Sequence, residues 1–455
     1  MGLRGVIGVS SARAAISTSL IGWVDRFEHR GRYRTQNLRR PVREPFPVEA
    51  QLGFRAAEAP ACAPRQHQYQ SGDLHASILV AHAGRRQGLR SQVRVGRGLW
   101  TLAHLGVSGD DQRMRIMVVA PPWLPVPPRG YGGTEAVVDS LARGFAAAGH
   151  NVLLCATGDS TCPVERRSVY DSGQGFRAGA PVELRHVFHA YEVAGDFDLV
   201  HDHTLLGPLL AAQMTDTPVV TTNHGPFDAE LQAVYRVIAQ RVPVIAVSAS
   251  QAASAAGIPI AGVIHHGVSV AEFPFGDSPG DYLLFLGRMS PTKGADRAAR
   301  IARAAGQRLV IAAKMREPEE HRYFEEQVEP LLDDRVVYIG EVGGRDKLEL
   351  LSGARGLLNP IGWPEPFGLV MIEALACGTP VLAFPNGAAP EIVRHGVTGF
   401  LCADEADMVR CLRQVDRLDR AACRASVTAS FSVERMVAAH LEFYASLLER
   451  TEVAA

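Results

Sequence analysis

Two successive runs of alternating strands and helices constrain the fold of this 455-residue chain more than any other feature of its sequence. The first run begins at residues 115–120, an apolar segment suited to a strand that is buried on both faces. A helix is predicted at 134–148, where apolar side chains recur on one face and Gly149 suits the C-terminal end. The other elements predicted in this run are strands at 151–156, 183–188, 198–200, 218–222, 243–247 and 261–264, and a helix at 228–240.

A segment rich in Pro and Gly at 272–280 has the composition of a linker and separates the two runs. The second run is predicted to hold strands at 282–286, 308–312, 336–339, 356–358 and 381–384, and helices at 295–305 and 368–377. Repeated βα units predict an α/β protein with two doubly wound, Rossmann-like parallel sheets, in residues 114–272 and 281–430. Ligands bind such sheets at the carboxyl ends of the strands, so we expect a site in the cleft between the two domains.

The first 113 residues differ from the rest of the chain in charge and in pattern. They contain 17 arginines, no lysine and 8 acidic residues, and Pro, Gly or Ser interrupts every apolar stretch before an element of normal length can form. We interpret residues 1–113 as a basic leader that is disordered or not truly part of the translated protein. A targeting peptide and a basic nucleic-acid arm are the alternatives. Met114 opens the first predicted strand and is a plausible start of the protein.

Composition argues against several other classes of protein. No stretch of about 18 uninterrupted apolar residues occurs, so no transmembrane segment is predicted, whereas peripheral contact with a membrane stays open. The seven cysteines form no C-x-x-C pair, which favours reduced thiols in the cytoplasm over disulfides or a zinc site. The net charge of −1 gives no argument for a nucleic-acid partner. The G-x-S-x-G elbow of serine hydrolases and the P-loop of kinases are both missing.

The most informative stretch is WPEPFGLVMIEALACGTPV, which runs from Trp363 to Val381. Pro366 suits the first turn of a helix, and Gly378 suits its left-handed C-terminal stop. Because this helix would follow a buried strand, the free N–H groups at its start would face the cleft and form a site for an anion such as a diphosphate. The candidate residues at this start are Phe367, Gly368, Leu369 and Val370.

Two glutamates stand eight residues apart in the same stretch, Glu365 and Glu373. Glu373 lies two turns inside the predicted helix, where its carboxylate could accept hydrogen bonds from ribose hydroxyls. Its neighbours Ile372, Ala374 and Leu375 are apolar, which is an odd setting for a solvated helix face. The alternative is that both glutamates simply solvate the helix.

This stretch belongs to an ordered set of motifs that extends over both predicted domains. The others are FLGRMSPTKG at 285–294, YIGE at 338–341, GAAPE at 387–391, GVTGF at 396–400, GYGGTE at 130–135 and TTNHG at 221–225. The set resembles glycosyltransferase family 4, whose members are retaining, nucleotide-sugar-dependent enzymes of two-domain GT-B fold. The resemblance includes nothing in residues 1–113, and it implies that a helix within residues 431–449 crosses back onto the first domain.

The resemblance implies a cytoplasmic enzyme that moves a sugar from a nucleotide-diphosphate sugar, its co-substrate, to an unidentified sugar, lipid or small-molecule acceptor. It implies no separate cofactor and no metal. Breaking the bond from sugar C1 to the diphosphate builds negative charge on the leaving group, which cations can stabilise. The implied roles are Arg288 and Lys293 at the leaving diphosphate, Gly132 and Gly133 as backbone that approaches it, Glu373 at the ribose, Glu365 at the sugar hydroxyls near C3 and C4, and His224 at the donor sugar or the reacting centre.

Lysine occurs at only three positions in the chain, 293, 314 and 347, among 47 basic residues. Arginine usage of this extent makes each remaining lysine a better candidate for a chemical role, and a solvated surface position is the alternative. For Lys293, the neighbouring Arg288 and the predicted helix-end anion site favour the chemical role.

Some candidate residues admit other interpretations. The glycines at 130–133 also fit the dinucleotide fingerprint of an oxidoreductase, with Asp159 as the ribose acid, but Glu135 stands where that fingerprint needs its last Gly. His201 and His203 point the same way along an extended segment and fit a metal site, the acceptor side of the cleft or a plain loop.

One loop departs from the family pattern. His265 and His266 precede Gly267 where the family more often has Asn, and Ser269 stands where Asp is common, which weakens the transfer of roles to this loop.

One rival function remains, that of a GT-B relative that binds or epimerises a nucleotide-sugar without transferring its sugar. Release of free nucleotide during turnover distinguishes the two functions.

Overall fold

The computed structural model of the protein describes residues 113–454, with side chains described up to residue 450. The interpretation of the leader, and Cys62 within it, lie outside the described residues. The described chain forms two parallel β-sheets with helices on their faces, which confirms the predicted fold class of two doubly wound sheets.

The first sheet has seven parallel strands in the order β3-β2-β1-β4-β5-β6-β7. They are β1 (Arg115–Val119), β2 (Asn151–Cys155), β3 (Glu165–Arg167), β4 (Leu199–Asp202), β5 (Val219–Thr222), β6 (Val244–Ala246) and β7 (Ile260–Val263). β1 lies between β2 and β4. Its apolar side chains alternate between two buried clusters, with Ile116 and Val118 on one face and Met117 and Val119 on the other. Burial on both faces explains why this strand reads as a continuous apolar run.

Five helices accompany the first sheet. They are α1 (Gly133–Ala147), α2 (Ala180–Tyr191), α3 (Leu206–Met214), α4 (Ala229–Ile238) and α5 (Ala249–Ser254). α1 buries Val137, Val138, Leu141 and Phe145, the apolar stripe that the sequence predicted, against one face of the sheet. Asp228 caps α4 by accepting a hydrogen bond from the Leu231 N–H (2.9 Å), which fixes where that helix begins.

The second sheet has six parallel strands in the order β10-β9-β8-β11-β12-β13. They are β8 (Tyr282–Arg288), β9 (Arg308–Lys314), β10 (Val336–Tyr338), β11 (Gly356–Asn359), β12 (Val381–Ala383) and β13 (Gly399–Leu401). The helices that follow in chain order are α6 (Ala295–Ala304), α7 (Pro318–Tyr323), α8 (Gly344–Gly353), α9 (Leu369–Ala376), α10 (Ala389–Ile392), α11 (Glu405–Cys411), α12 (Arg420–Ser430) and α13 (Val433–Ala454).

The last helix, α13, leaves the second domain and packs on the first. Val437 lies directly over Gly144 of α1, where a Cβ would overlap its side chain. The Tyr444 ring packs on Phe145 at 5.6 Å between centroids, and both are buried in the cluster that covers β1. No helix of the described chain is long and apolar enough to cross a membrane.

Two local predictions are wrong. Residues 183–188, predicted as a strand, lie inside α2, which buries Glu183, Val187, Ala190 and Tyr191 at a spacing of three to four residues. That spacing is helical, so these residues form the buried face of a helix and do not form a strand. Pro366, predicted in the first turn of a helix, precedes the helix instead, because α9 begins at Leu369 after Gly368, whose φ is 96°.

Candidate active site

A cleft of about 1170 Å³ lies between the carboxyl ends of the two sheets. Side chains and backbone of both domains line it, and every residue that the sequence assigned to the binding or reaction of the donor is among them. These are Gly132, Gly133 and His224 from the first domain, and Arg288, Lys293, Glu365, Phe367, Gly368, Leu369, Val370 and Glu373 from the second. The structure therefore brings together residues that lie up to about 240 positions apart in the chain; their individual roles stay predictions.

The amino end of α9 forms one wall of the cleft. Gly368 precedes it in the left-handed region, and a Cβ there would lie 2.7 Å from the Met371 side chain. The Leu369 side chain extends towards the other domain, and a Cβ on Gly133 at the start of α1 would lie 3.5 Å from it. The starts of α1 and α9 thus face each other across the cleft, and both present free N–H groups that favour an anion.

The glycine loop before α1 is held by a carboxylate of the second domain. The Tyr131 N–H donates to Glu341 Oε1 (2.8 Å), and Arg316 binds the same carboxylate through its guanidinium (2.7 Å). A Cβ on Gly130 would overlap Glu341 Oε1, so a larger residue here would have to displace the carboxylate that holds the loop. Glu341 belongs to the YIGE motif at 338–341, and nothing in that motif indicates that its carboxylate joins the two domains.

All three lysines of the chain line the cleft, and each forms an ion pair with a glutamate. The pairs are Lys293 with Glu365, Lys314 with Glu320 (2.9 Å) and Lys347 with Glu373 (2.6 Å). Lys314 and Lys347 were not assigned to the site from the sequence. The rarity of lysine was the signal that could have found them.

Arg288 also lines the cleft, and it lies farther from its nearest carboxylate than any of the three lysines does. Its side chain is 42% exposed, and the nearest carboxylate in residues 113–450, that of Glu320, lies 3.9 Å from Nε. Lys293, by contrast, is largely buried against Glu365, whose Oε2 has no hydrogen-bond partner in the described chain. Arg288 is therefore free to bind an anion directly, whereas the charge of Lys293 is already paired with that of Glu365.

His224 lies in a row of three hydrogen-bonded imidazoles. Its Nε2 is 2.8 Å from His203 Nδ1, and its Nδ1 is 3.3 Å from His266 Nε2. All three rings line the cleft wall of the first domain. Burial lowers the pKa of His224 to about 3, and burial followed by the neighbouring histidines lowers the pKa values of His203 and His266 as well. The row is therefore neutral at ordinary pH, and both ring nitrogens of His224 are already used by histidines.

His201 and Asp202 do not reach the cleft, although His203 does. The ring nitrogens of His201 are hydrogen-bonded to the Tyr444 hydroxyl (2.6 Å) and to Thr222 Oγ1 (2.9 Å). This arrangement gives no support to a metal site made by His201 and His203.

Within the part of the chain that the structure describes, no group of three His, Cys, Asp or Glu side chains in the cleft is close enough to share a metal ion. In residues 113–450, three candidate ligand atoms come within 4.8 Å of one another only at Cys402, Asp407 and Cys411, beside α11 and away from the cleft. The chain has one Asp-x-Asp sequence, Asp196-Phe197-Asp198. The Asp198 carboxylate accepts the Arg115 N–H (2.7 Å) at the amino end of β1, opposite the cleft.

Two other candidate positions were Asp159 and the loop at 265–269. Asp159, considered as a ribose acid, accepts a hydrogen bond from Thr157 (2.7 Å) and is not a cleft residue, which disfavours the dinucleotide interpretation. His265 binds Glu391 (2.7 Å) beside the loop that departs from the family pattern, while His266 and Ser269 line the cleft.

Comparison with known families covers both domains. The model of Glycosyltransferase Family 4 matches residues 131–272, and that of Glycosyl transferases group 1 matches residues 275–418. Together the two matches span more than half of the chain and contain every candidate residue. The chain belongs to glycosyltransferase family 4. The resemblance seen in the sequence is thereby confirmed, and so is the assignment of the protein as a glycosyltransferase of GT-B fold.

Individual relatives agree with this assignment. Glycogen synthase of Mycobacterium tuberculosis is 28% identical over 401 residues, which are 73% of this chain and 94% of that protein. AviGT4, a glycosyltransferase involved in avilamycin A biosynthesis, is 28% identical with a TM-score of 0.57, over 74% of this chain and 98% of that one. HepE from Anabaena, solved in complex with UDP and glucose, shares the fold at 21% identity and a TM-score of 0.60, over 73% and 100% of the two chains.

Proposed function

We propose that this family 4 enzyme transfers a hexose from a nucleoside-diphosphate hexose to an acceptor hydroxyl with retention at C1, and that it needs no metal. The observation that carries the proposal is the meeting of the α9 amino end, Arg288 and Lys293 in one cleft, opposite the glycine loop. Two cations and two sets of helix-end amides suit a diphosphate.

The proposed reaction forms a bond from the acceptor oxygen to sugar C1 and breaks the bond from C1 to the diphosphate oxygen. The acceptor proton and the nucleoside diphosphate leave. Negative charge on the departing diphosphate would be stabilised by Arg288, which the structure leaves free for an anion. Lys293 would contribute its charge while it holds Glu365 next to the sugar. The metal-independent character follows from this set of fixed positive charges.

UDP-glucose is the first donor to test, because HepE, which shares the fold, was solved with UDP and glucose. The acceptor would bind the first-domain wall, where the row of histidines ends in the cleft. Its class, a sugar, a lipid or a small molecule, is open, and we expect the reaction to take place in the cytoplasm. We expect no nucleic acid among the substrates.

A donor panel tests the proposal directly. Purified enzyme is incubated with UDP-, ADP-, GDP- and dTDP-hexoses and a set of acceptors, and released nucleoside diphosphate and the anomeric configuration of the product are measured. We expect one donor to be consumed with retention, and full activity in EDTA. Inversion at C1, or loss of activity in EDTA that Mn²⁺ restores, would contradict the proposal.

The rival function makes a different product. An epimerase would return a changed nucleotide-sugar or free sugar in the absence of acceptor, and a binding protein would release no nucleotide at all. We expect neither, because the cleft retains both glutamates and both cations of the transferase motifs.

A further inference from the structure

The ion pair between Lys347 and Glu373 joins two helices of the second domain that also pack against each other in its core. Lys347 lies on α8, and Glu373 lies on α9, with 2.6 Å between Nζ and Oε1. The Glu373 side chain is only 12% exposed and Lys347 is 28% exposed, and both line the cleft. A shielded ion pair at the edge of a cavity is stronger than one on open surface, because less water screens it.

Lys347 contacts only one of the two oxygens of the Glu373 carboxylate. In residues 113–450, no hydrogen bond reaches Glu373 Oε2, and Lys347 is the single partner of Oε1. The carboxylate is therefore aimed by the lysine and still has an oxygen to offer to a ligand in the cleft. A lysine suits this task because its compact ammonium group occupies one oxygen, whereas the fork of an arginine tends to occupy both.

We propose that Lys347 is a positioning residue, which aims Glu373 at the ribose hydroxyls of the nucleotide and compensates its negative charge beside the diphosphate. The inference rests on the proposed function, because it needs a nucleotide in this cleft. Lys347 itself acts through Glu373 and touches neither the sugar nor the reacting atoms.

The charge balance of the site supports this role. A bare carboxylate at Glu373 would repel a diphosphate bound at the start of the same helix, α9, four residues earlier. Lys347 removes this penalty and leaves the acceptor capacity of Oε2 intact. The pairing repeats what Lys293 does for Glu365 at the other end of the motif.

The test measures nucleotide affinity in single and double variants. Lys347→Met removes the charge at similar length, and Lys347→Arg restores it. The matched control is Arg345→Met, because Arg345 lies on the same helix, is 90% exposed, pairs with Glu349 and does not line the cleft. UDP, ADP and GDP are titrated against each protein, followed by the 2′,3′-dideoxy form of the tightest binder.

We expect Lys347→Met to weaken nucleoside diphosphate binding about tenfold, which is about 1.4 kcal/mol, with Lys347→Arg recovering part of the loss. KM for the donor should rise more than kcat falls, because the ribose contact is made equally in the ground and transition states. The loss should shrink for the dideoxy nucleotide, for which only the repulsion between Glu373 and the diphosphate remains, and it should disappear in a Glu373→Gln background. Arg345→Met should bind like the wild type.

Other outcomes separate the inference from the proposed function. If the wild type binds none of the three nucleotides, the proposed function fails and the inference fails with it. If the wild type binds and Lys347→Met binds equally well, the inference alone is wrong. If the loss persists for the dideoxy nucleotide and in the Glu373→Gln background, Lys347 acts directly on the diphosphate, and its role in positioning Glu373 is refuted.

Discussion

Arg288 and Lys293 were predicted from the sequence as one pair of cations, but their surroundings differ. Among the residues that the structure describes, Glu320 is the one acid within 4 Å of Arg288, at 3.9 Å, whereas Lys293 is bound to Glu365. An ion pair that is largely shielded from water leaves an uncompensated charge when one partner is removed. The two residues should therefore respond differently to the same substitution.

We expect Arg288→Ala to lower turnover by about 10²–10³-fold, as for the loss of one preorganised charge at a developing anion. Its melting temperature should stay close to that of the wild type, because the side chain is exposed and weakly paired. Lys293→Ala should lose similar activity and also some stability, since Glu365 is left without its partner. Turnover measured with the true donor, together with thermal melts of both variants, checks this. Near wild-type turnover in either variant would refute the assigned role.

Single residues also show what the sequence could not predict. Glu373 was recognised from its motif and its apolar neighbours, which are local features. Its partner Lys347 lies 26 positions earlier on another helix, and no local pattern states that α8 returns beside α9. The row formed by His203, His224 and His266 likewise depends on three separate chain segments that meet only in the folded sheet.

At the level of elements, strands were predicted well where burial on both faces left a continuous apolar run, as in β1 and β8. α2 was mistaken for a strand because its apolar residues are few and its buried face includes Glu183 and His186. Glu183 is buried because it accepts the N–H groups of Leu205 (2.6 Å) and Leu206 (3.2 Å) at the start of α3. Hydrophobic periodicity cannot predict the burial of a polar residue that caps another helix.

The start of α9 gives a prediction at this scale. Gly368→Ala places a side chain at φ 96° and within 2.7 Å of Met371, so we expect about 1–2 kcal/mol of destabilisation and weaker binding of nucleotide. Gly306→Ala is the matched control. Its φ is also positive, at 64°, but the added Cβ would have no neighbouring atom within 4 Å, and the residue is outside the cleft. Urea unfolding and nucleotide titration should show comparable strain in both and a binding defect only at Gly368. Equal nucleotide affinity in the two variants would disprove a role for this helix end.

On the scale of the whole molecule, α13 couples the two domains, since it starts in the second and packs on the first. The Tyr444 hydroxyl is bound to His201 in the interior of the first domain. Tyr444→Phe leaves that ring nitrogen buried without a partner, which costs about 1–3 kcal/mol. We expect a lower urea midpoint in a single cooperative transition. Two separate transitions in the wild type would show that α13 does not couple the domains.

The buried histidines predict how stability depends on pH. Burial lowers the pKa values of His186 and His440 to about 4 and that of His224 to about 3. A histidine whose folded pKa lies below its unfolded value binds fewer protons when folded, so stability is full above about pH 6.5 and falls as the pH drops. Each contributes a loss of about 2 kcal/mol at pH 5.

Two buried acids oppose this trend. Burial raises the pKa of Glu135 to about 7 and that of Asp202 to about 6, so protonation of these groups favours the folded state as the pH falls. Because seven histidines with lowered pKa values, including His150, His201, His203 and His266, outnumber them, we expect a net loss of stability from pH 7 to pH 5. Urea midpoints across this range measure it, and His186→Gln should flatten the curve. Constant midpoints would contradict the assigned neutral state of these rings.

The gathering of all three lysines in one cleft has a practical consequence. No other side chain of the protein carries a primary amine, so a reagent that acylates amines will modify the cleft and the chain's own α-amino group and nothing else of that kind. The rate of labelling at each lysine then reports occupancy of the cleft without any engineered probe. A bound nucleotide should slow acylation at the cleft lysines Lys293 and Lys347, while the chain's own α-amino group serves as the internal reference.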